Sequence, residues 1–180
     1  MRLGHERESV IADMVSRHLG SRMQETGSWP HPDYPFLFAS PDRLMIDRYG
    51  EFGLLECKSM GRLAKLSDKF LLQVQMQLAC VSRARYAYIA MYDGKDCVLQ
   101  RIQRDAELIR DILPYLKDVH DAARPVLEGT VDPETVFADD VRTFGRMEQN
   151  DVRALLGDTR RDFVGDPVII QNGAAKMVTI

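Results

Sequence analysis

The chain has 180 residues, of which 45% are apolar and 28% charged, with a formal net charge of −3. This is ordinary for one soluble domain with a core, and no apolar stretch approaches the ~18–20 residues of a membrane span. Cysteines occur only at Cys57, Cys80 and Cys97, without a C-x-x-C pair, which excludes a zinc ribbon and favours a reducing cytoplasm. The charged start, MRLGHERESV, argues against export.

The first half of the chain predicts one helix and three strands. Residues 4–20 are typical of an amphipathic helix, because apolar side chains recur at three- and four-residue steps. These are Val10, Ile11, Met14, Val15 and Leu19. A short strand is predicted over 36–39, followed by strands over 44–47 and 52–58 with a turn at 48–51 between them.

The second half predicts a helix over 68–81, a strand pair over 86–92 and 98–102, and a long helix over 105–127. This order indicates an α+β fold, in which one central mixed sheet is flanked by helices. We expect residues 1–129 to form the core.

Residues 130–180 are expected to form a C-terminal extension that serves assembly or regulation. Near its end, strands over 168–170 and 177–180 are predicted to pair as a small hairpin around Asn172-Gly173.

Three residues around the turn carry the chemistry. Glu56 and Lys58 are two apart on a strand, so their side chains project from the same face. Residue 49, inside the predicted turn, is midway between Asp42 and Glu56, so a hairpin centred there places the two carboxylates opposite each other. The residues before Glu56 are apolar, so the strand is expected to be buried. Charged side chains are unfavourable in a buried strand unless they are paired or bind a ligand.

Two adjacent carboxylates repel each other unless a cation lies between them, which predicts a site for a divalent metal. Phosphodiester hydrolysis needs an activated water and neutralisation of charge on the phosphate, and carboxylate-bound Mg²⁺, or Mn²⁺ in its place, supplies both. Lys58 is suited to orient the water and stabilise the charge. The backbone carbonyl of Cys57 is a further candidate ligand. These features predict a nuclease of the PD-(D/E)xK type.

The charge distribution is compatible with DNA. Residues 43–85 hold eight Lys and Arg against four Asp and Glu, whereas residues 105–140 hold three against ten. Arg62, Lys65 and Lys69 follow the active-site strand and are candidates to contact phosphates, although a flexible surface loop explains them equally well.

An ordered set of motifs resembles the YqaJ-type viral recombinases, the lambda-exonuclease-like family of PD-(D/E)xK nucleases. The matching blocks are Ala39-Ser40-Pro41-Asp42-Arg43-Leu44, Leu54-Leu55-Glu56-Cys57-Lys58-Ser59, Gln73-Val74-Gln75 and Tyr92-Asp93-Gly94, with Gly4 and Glu8 on the first helix. The resemblance implies a Mg²⁺-dependent 5′→3′ exonuclease on linear duplex DNA in phage-type recombination. It also implies a homo-oligomer, usually a trimer, that works with a single-strand annealing protein and has no membrane association.

Residue by residue, the resemblance identifies Asp42 and Glu56 as metal ligands and Lys58 as the catalytic lysine. It implies that Glu8 reaches the metal directly or through a water and that Gln73 lies close to the active site. It implies that Ser40 contacts DNA phosphate. The neighbouring Arg43 is a further candidate for DNA binding.

Two other functions remain open from the sequence. The same core occurs in endonucleases of restriction, resolvase or repair type, and a DNA-binding protein could retain the fold without activity. The intact set of Asp42, Glu56 and Lys58 argues against the second of these. Cleavage of linear but not circular duplex DNA would indicate an exonuclease.

Overall fold

The structure, a computed structural model, describes residues 2–63, 65–132, 162–171 and 174–177. The chain divides into two compact units, one of residues 1–104 and 161–180 and the other of residues 105–160. The described residues contain three α-helices and nine strands. In chain order these are α1 (Arg2–Leu19), β1 (Arg22–Gln24), β2 (Trp29–Pro30), β3 (Phe38–Ala39), β4 (Arg43–Ile46), β5 (Phe52–Ser59), α2 (Asp68–Cys80), β6 (Tyr86–Tyr92), β7 (Asp96–Gln103), α3 (Ala106–Leu127), β8 (Val168–Gln171) and β9 (Ala174–Met177).

Seven strands of the first unit form one mixed sheet in the order β1-β4-β5-β6-β7-β8-β9. β5 and β6 are parallel, and the other neighbouring pairs are antiparallel. β2 and β3 pair with each other in a separate small sheet. The predicted α+β architecture, a mixed sheet with helices, is therefore confirmed.

β5 lies within this sheet and is covered on both faces. Leu55 and Cys57 are in a buried cluster with Ile11 and Val15 of α1, whereas Glu56 accepts hydrogen bonds from α2. Since side chains alternate along a strand, α1 covers one face of β5 and α2 covers the other. A strand covered in this way is apolar without alternation, as in the run that precedes Glu56.

The connection between β4 and β5 sets the register of this part of the sheet. Oδ1 of Asp47 accepts hydrogen bonds from the backbone nitrogens of Tyr49 and Glu51, each at 2.9 Å. Gly50 follows with φ of 83°, a conformation that glycine adopts without strain. The turn lies where the sequence predicts it, and it brings β5 back along β4.

Most predicted elements are present with boundaries shifted by a few residues, but β1 and β2 were missed. β1 has exposed polar side chains on both sides of Met23, so it lacks the alternation of apolar residues that marks a strand in sequence. β2 has only two residues, one of them proline. Such short segments owe their conformation to the strand beside them.

The C-terminal hairpin belongs to the first compact unit. β8 and β9 pair as predicted, although β9 begins earlier, at Ala174, and residues 178–180 lie outside the described part of the chain. β8 also pairs with β7, with Leu99 opposite Val168, so the hairpin extends the main sheet. Ile170 is fully buried in the cluster beneath α1. β8 is thus part of the core of the first unit.

The second unit contributes α3 to the described residues. Asp105 caps the helix by accepting a hydrogen bond from the backbone nitrogen of Leu108 at 2.9 Å. Asp121 pairs with Lys117 and Arg124 on adjacent turns. The long helix predicted over 105–127 is confirmed. No helix in the described part of the chain is long and apolar enough to cross a membrane.

Candidate metal-dependent active site

The register of β4 and β5 brings the two predicted carboxylates together. Arg43 pairs with Leu55 in antiparallel strands. Asp42, one residue before Arg43, therefore lies opposite Glu56, one residue after Leu55. The hairpin centre predicted at residue 49 is thereby confirmed. Asp42 stands just before β4, where the chain has left the ladder, and its side chain turns toward β5.

The Asp42 carboxylate is held by the backbone of β5. Its Oδ2 accepts a hydrogen bond from the Cys57 nitrogen at 2.6 Å. Burial raises the pKa of Asp42 to about 6, and the negative charges of Glu56 and Glu8 act in the same direction. The Cys57 N–H and the Lys58 ammonium oppose this shift but do not cancel it. The ionised form of Asp42 is therefore disfavoured mainly by burial and additionally by the two neighbouring carboxylates.

Glu56 is the most enclosed acid of the site, with only 4% of its surface exposed. Its Oε1 accepts hydrogen bonds from Lys58 Nζ at 2.6 Å and from Gln73 Nε2 at 2.7 Å. Its Oε2 accepts one from Gln77 Nε2 at 2.5 Å. The Lys58 ammonium also lies 5.2 Å from the centre of the Phe70 ring, which keeps it on the α2 side of the sheet.

The two glutamines reach Glu56 because α2 presents them one turn apart. Ser67 caps this helix, accepting a hydrogen bond from the backbone nitrogen of Phe70. Residues 73 and 77 then lie on one face of the helix, four positions apart. Gln73 lies beside Glu56 as the family resemblance implies. Gln77 was not assigned to the site from the sequence, since a helical glutamine is usually solvated.

Glu8 lies at the edge of the site on α1 and is half-buried. Its backbone carbonyl is 4.0 Å from the Cys57 sulphur, and its charge contributes to the raised pKa of Asp42. α1 therefore crosses the end of the sheet that carries the acids. The effect on Asp42 fits the expectation that Glu8 approaches the carboxylates.

The thiol of Cys57 faces α1, whereas its backbone nitrogen faces Asp42. The thiol is buried among the residues packed against α1, and this burial strongly raises its pKa. The backbone nitrogen points to Asp42. In an extended strand the N–H and C=O of one residue point to the same side, which supports the Cys57 carbonyl as a candidate ligand next to Asp42.

The oxygen atoms present suit a hard divalent cation such as Mg²⁺. Burial is the main cause of the raised pKa of Asp42, and the charges of Glu56 and Glu8 add to it, so a bound cation would favour the ionised carboxylate. Within the described residues, no three His, Cys, Asp or Glu side chains are grouped to hold one ion. Asp42 and Glu56 would therefore bind the ion together with backbone and water oxygens, since Mg²⁺ usually keeps several waters.

The candidate DNA contacts fall into two groups. Arg62, Lys65 and Lys69 are exposed between β5 and the first turn of α2. Ser40 is also exposed, and its hydroxyl hydrogen-bonds to that of Ser28 at 2.8 Å. These four side chains remain available to a ligand.

Arg43 differs, because it is only 8% exposed. It donates to the Asp42 carbonyl at 2.6 Å and pairs with Glu25 at 3.1 Å. These partners occupy the Arg43 guanidinium at the β4 end of the site. The structure therefore does not favour the DNA contact expected for Arg43 from the sequence.

Comparisons with known proteins bear on the family and the fold of the chain. Residues 1–84 match the family model of the YqaJ-like viral recombinase domain, which confirms the expected resemblance for that part of the chain. No curated protein matches the sequence.

Among solved structures, the fold is similar to that of an alkaline exonuclease from Laribacter hongkongensis. The likeness has 21% identity and a TM-score of 0.51, and it covers 71% of this chain and 73% of the other. For the same exonuclease in complex with dAMP, the identity is 24% and the TM-score 0.53, with 71% and 74% covered. These two likenesses show that the chain shares the fold of this exonuclease.

Proposed function

We propose that this chain, whose first 84 residues resemble the YqaJ-like viral recombinase domain, is a divalent-metal-dependent deoxyribonuclease that degrades linear duplex DNA from its ends. The observation that carries the proposal is the juxtaposition of Asp42 and Glu56 across two strands, with the Lys58 ammonium 2.6 Å from Glu56. The raised pKa of Asp42 supports it, because a carboxylate that is buried beside a second carboxylate is stabilised in its ionised form by a cation.

Each of the three residues has a defined role in phosphodiester hydrolysis. Asp42 and Glu56 would hold the cation, with the Cys57 carbonyl as a further oxygen ligand. A bound Mg²⁺ or Mn²⁺ supplies an acidified water and neutralises charge on the phosphate. Lys58 is placed to orient the attacking water and to stabilise negative charge that develops on the phosphate oxygens.

Surrounding residues would keep these groups in position and hold the substrate. Gln73 donates to the same Glu56 oxygen as Lys58, which fixes the carboxylate against rotation. The exposed side chains of Arg62, Lys65 and Lys69 are placed to contact the DNA backbone, where phosphate contacts supply most of the affinity.

The family resemblance supports finer features of the proposal. These are Mg²⁺ as the working metal, 5′→3′ polarity, a homo-oligomer, and cooperation with a single-strand annealing protein in recombination. The relative that shares the fold is itself called an alkaline exonuclease. A bacterial or phage-infected cytoplasm is the expected location.

The test compares linear and covalently closed circular duplex DNA of the same sequence, with Mg²⁺ and with EDTA. We expect mononucleotide release from the linear form only, and none with EDTA. Substrates labelled at one 5′ end then give the polarity. Cleavage of the circle would indicate an endonuclease, and binding without cleavage of either form would overturn the proposal.

A further inference from the structure

Gln77 has a buried amide whose two polar atoms are in different situations. Its Nε2 donates to Glu56 Oε2 at 2.5 Å, whereas its Oε1 has no hydrogen-bond partner within the part of the chain that the structure describes. The residue is only 3% exposed. A buried acceptor without a donor destabilises a protein by about 1–3 kcal/mol. Such an atom in a native protein therefore calls for an explanation, such as a bound water or ion.

The orientation of this amide follows from the charge beside it. The NH₂ group must face the Glu56 carboxylate, because Oε1 in its place would put two acceptors in contact. Since Oε1 and Nε2 share one carbon, Oε1 lies beside the carboxylate and can only accept a hydrogen bond. The nearby donors of Lys58 and Gln73 are already directed to the other Glu56 oxygen. The missing donor is therefore best supplied by a water.

We propose that Gln77 is a positioning residue of the metal site. It holds the Glu56 carboxylate through Nε2, and through Oε1 it accepts a hydrogen bond from a water in the coordination shell of the cation. This inference rests on the proposed function, since it assigns Gln77 to the same site. It predicts that the Gln77 amide contributes to metal affinity, because partners of ligands and of their waters typically change that affinity by 10- to 100-fold.

Gln75 offers a matched control on the same helix. It is as deeply buried as Gln77, with 0% against 3% exposed, and it also donates through Nε2. Its acceptor, however, is the backbone carbonyl of Gln103 on β7, at 2.7 Å. Substitution of Gln75 by methionine removes a buried amide of the same size whose Nε2 donates to β7 instead of to Glu56.

The experiment measures Mg²⁺ affinity by titration calorimetry on the metal-free full-length chain, for the wild type, Gln77→Met and Gln75→Met. Thermal unfolding without metal is measured in parallel. We expect Gln77→Met to raise the dissociation constant of Mg²⁺ by 10- to 100-fold. Gln75→Met should leave this constant within about twofold of the wild type, whatever its effect on stability. If Gln77→Met does not fold, Gln77→Asn, which is too short to reach Glu56, should show the same loss.

Three results would overturn the inference: wild-type affinity in the Gln77 variant, an equal loss in the Gln75 variant, or no Mg²⁺ binding by the wild type. Failure of the proposed function is distinguishable. A wild type that binds Mg²⁺, loses this binding in Asp42→Ala, and yet cleaves no DNA would refute the nuclease proposal. The affinity comparison would still decide the role of Gln77.

Discussion

Asp42 accepts a hydrogen bond from the backbone nitrogen of Cys57 at 2.6 Å, although fifteen positions separate the two residues in the chain. This bond prolongs the pairing of β4 and β5 beyond the last ladder pair, with a carboxylate in place of a backbone carbonyl. Because Oδ2 is held by the strand, the direction of the side chain is set before any ligand arrives. Preorganisation of this kind lowers the free-energy cost of binding a cation.

Loss of either carboxylate should abolish cleavage without loss of DNA binding. In Asp42→Ala or Glu56→Ala the metal's contribution to the transition state disappears, whereas the phosphate contacts of the basic side chains remain. We expect no Mg²⁺-dependent cleavage above background in a gel assay and nearly unchanged DNA affinity by fluorescence anisotropy. Asp13→Ala, which removes an exposed acid of α1, is the control. Wild-type rates in either active-site variant would refute the assignment.

Lys58→Ala should lower the rate of cleavage by about 10²- to 10³-fold, the scale of removing one preorganised electrostatic group. The Mg²⁺ affinity should fall little, because the lysine is not a ligand. Single-turnover kinetics at saturating Mg²⁺ measure the effect. Arg83→Ala removes an exposed cation after α2 and should leave the rate unchanged. A Lys58 variant within a factor of three of the wild type would show that the ammonium has no catalytic role.

Ca²⁺ should support DNA binding without turnover. It binds oxygen ligands with a looser geometry than Mg²⁺ and is poor at positioning an attacking water. Anisotropy titrations with Ca²⁺ and with Mg²⁺ should give similar affinities, and only Mg²⁺ should give products. Rapid cleavage with Ca²⁺ would indicate a site of another kind.

The metal-free protein should lose stability between about pH 4 and pH 6. The pKa of Asp42 is raised from 3.8 to about 6 on folding, so the protonated form favours the folded state. This contribution is complete below the unfolded pKa and is lost as the pH rises through the folded pKa, by at most about 3 kcal/mol.

Denaturant unfolding in EDTA at pH 4.5 and pH 7 measures this loss. In Asp42→Asn, which stays neutral, the difference between the two pH values should be smaller. Mg²⁺ should restore stability at pH 7 in the wild type and not in the variant. Identical pH profiles for the two proteins would show that Asp42 titrates normally.

Truncation after Gly129 should destabilise the fold. It removes β8 and with it the fully buried Ile170, and it exposes the edge of β7. Ile170→Ala in the full chain should by itself lower the free energy of unfolding by about 2–5 kcal/mol. Urea denaturation measures both changes. Unaltered stability of the Ile170 variant would show that the hairpin contributes little to the core.

The parts that could be predicted from sequence are those set by local rules. The position of the β4–β5 turn follows from Asp47, Tyr49 and Gly50, and strand alternation then brings Glu56 and Lys58 to one face. The role of Gln77 could not be read, because helical spacing alone does not distinguish a glutamine facing a carboxylate from one facing water. The pairing of β8 with β7 was not predicted, because no local sequence pattern indicates which strand of a sheet a distant hairpin will pair with.

The contact between β7 and β8 also affects how the chain is made. Sixty-four residues separate the end of β7 at Gln103 from the start of β8 at Val168. At about 5–20 residues per second, the ribosome needs roughly 3–13 seconds to synthesise this stretch. During that interval the nascent chain has an open strand edge at β7 and lacks Ile170 in its core. An exposed strand edge of this kind can pair with another nascent chain, which promotes aggregation until β8 covers it.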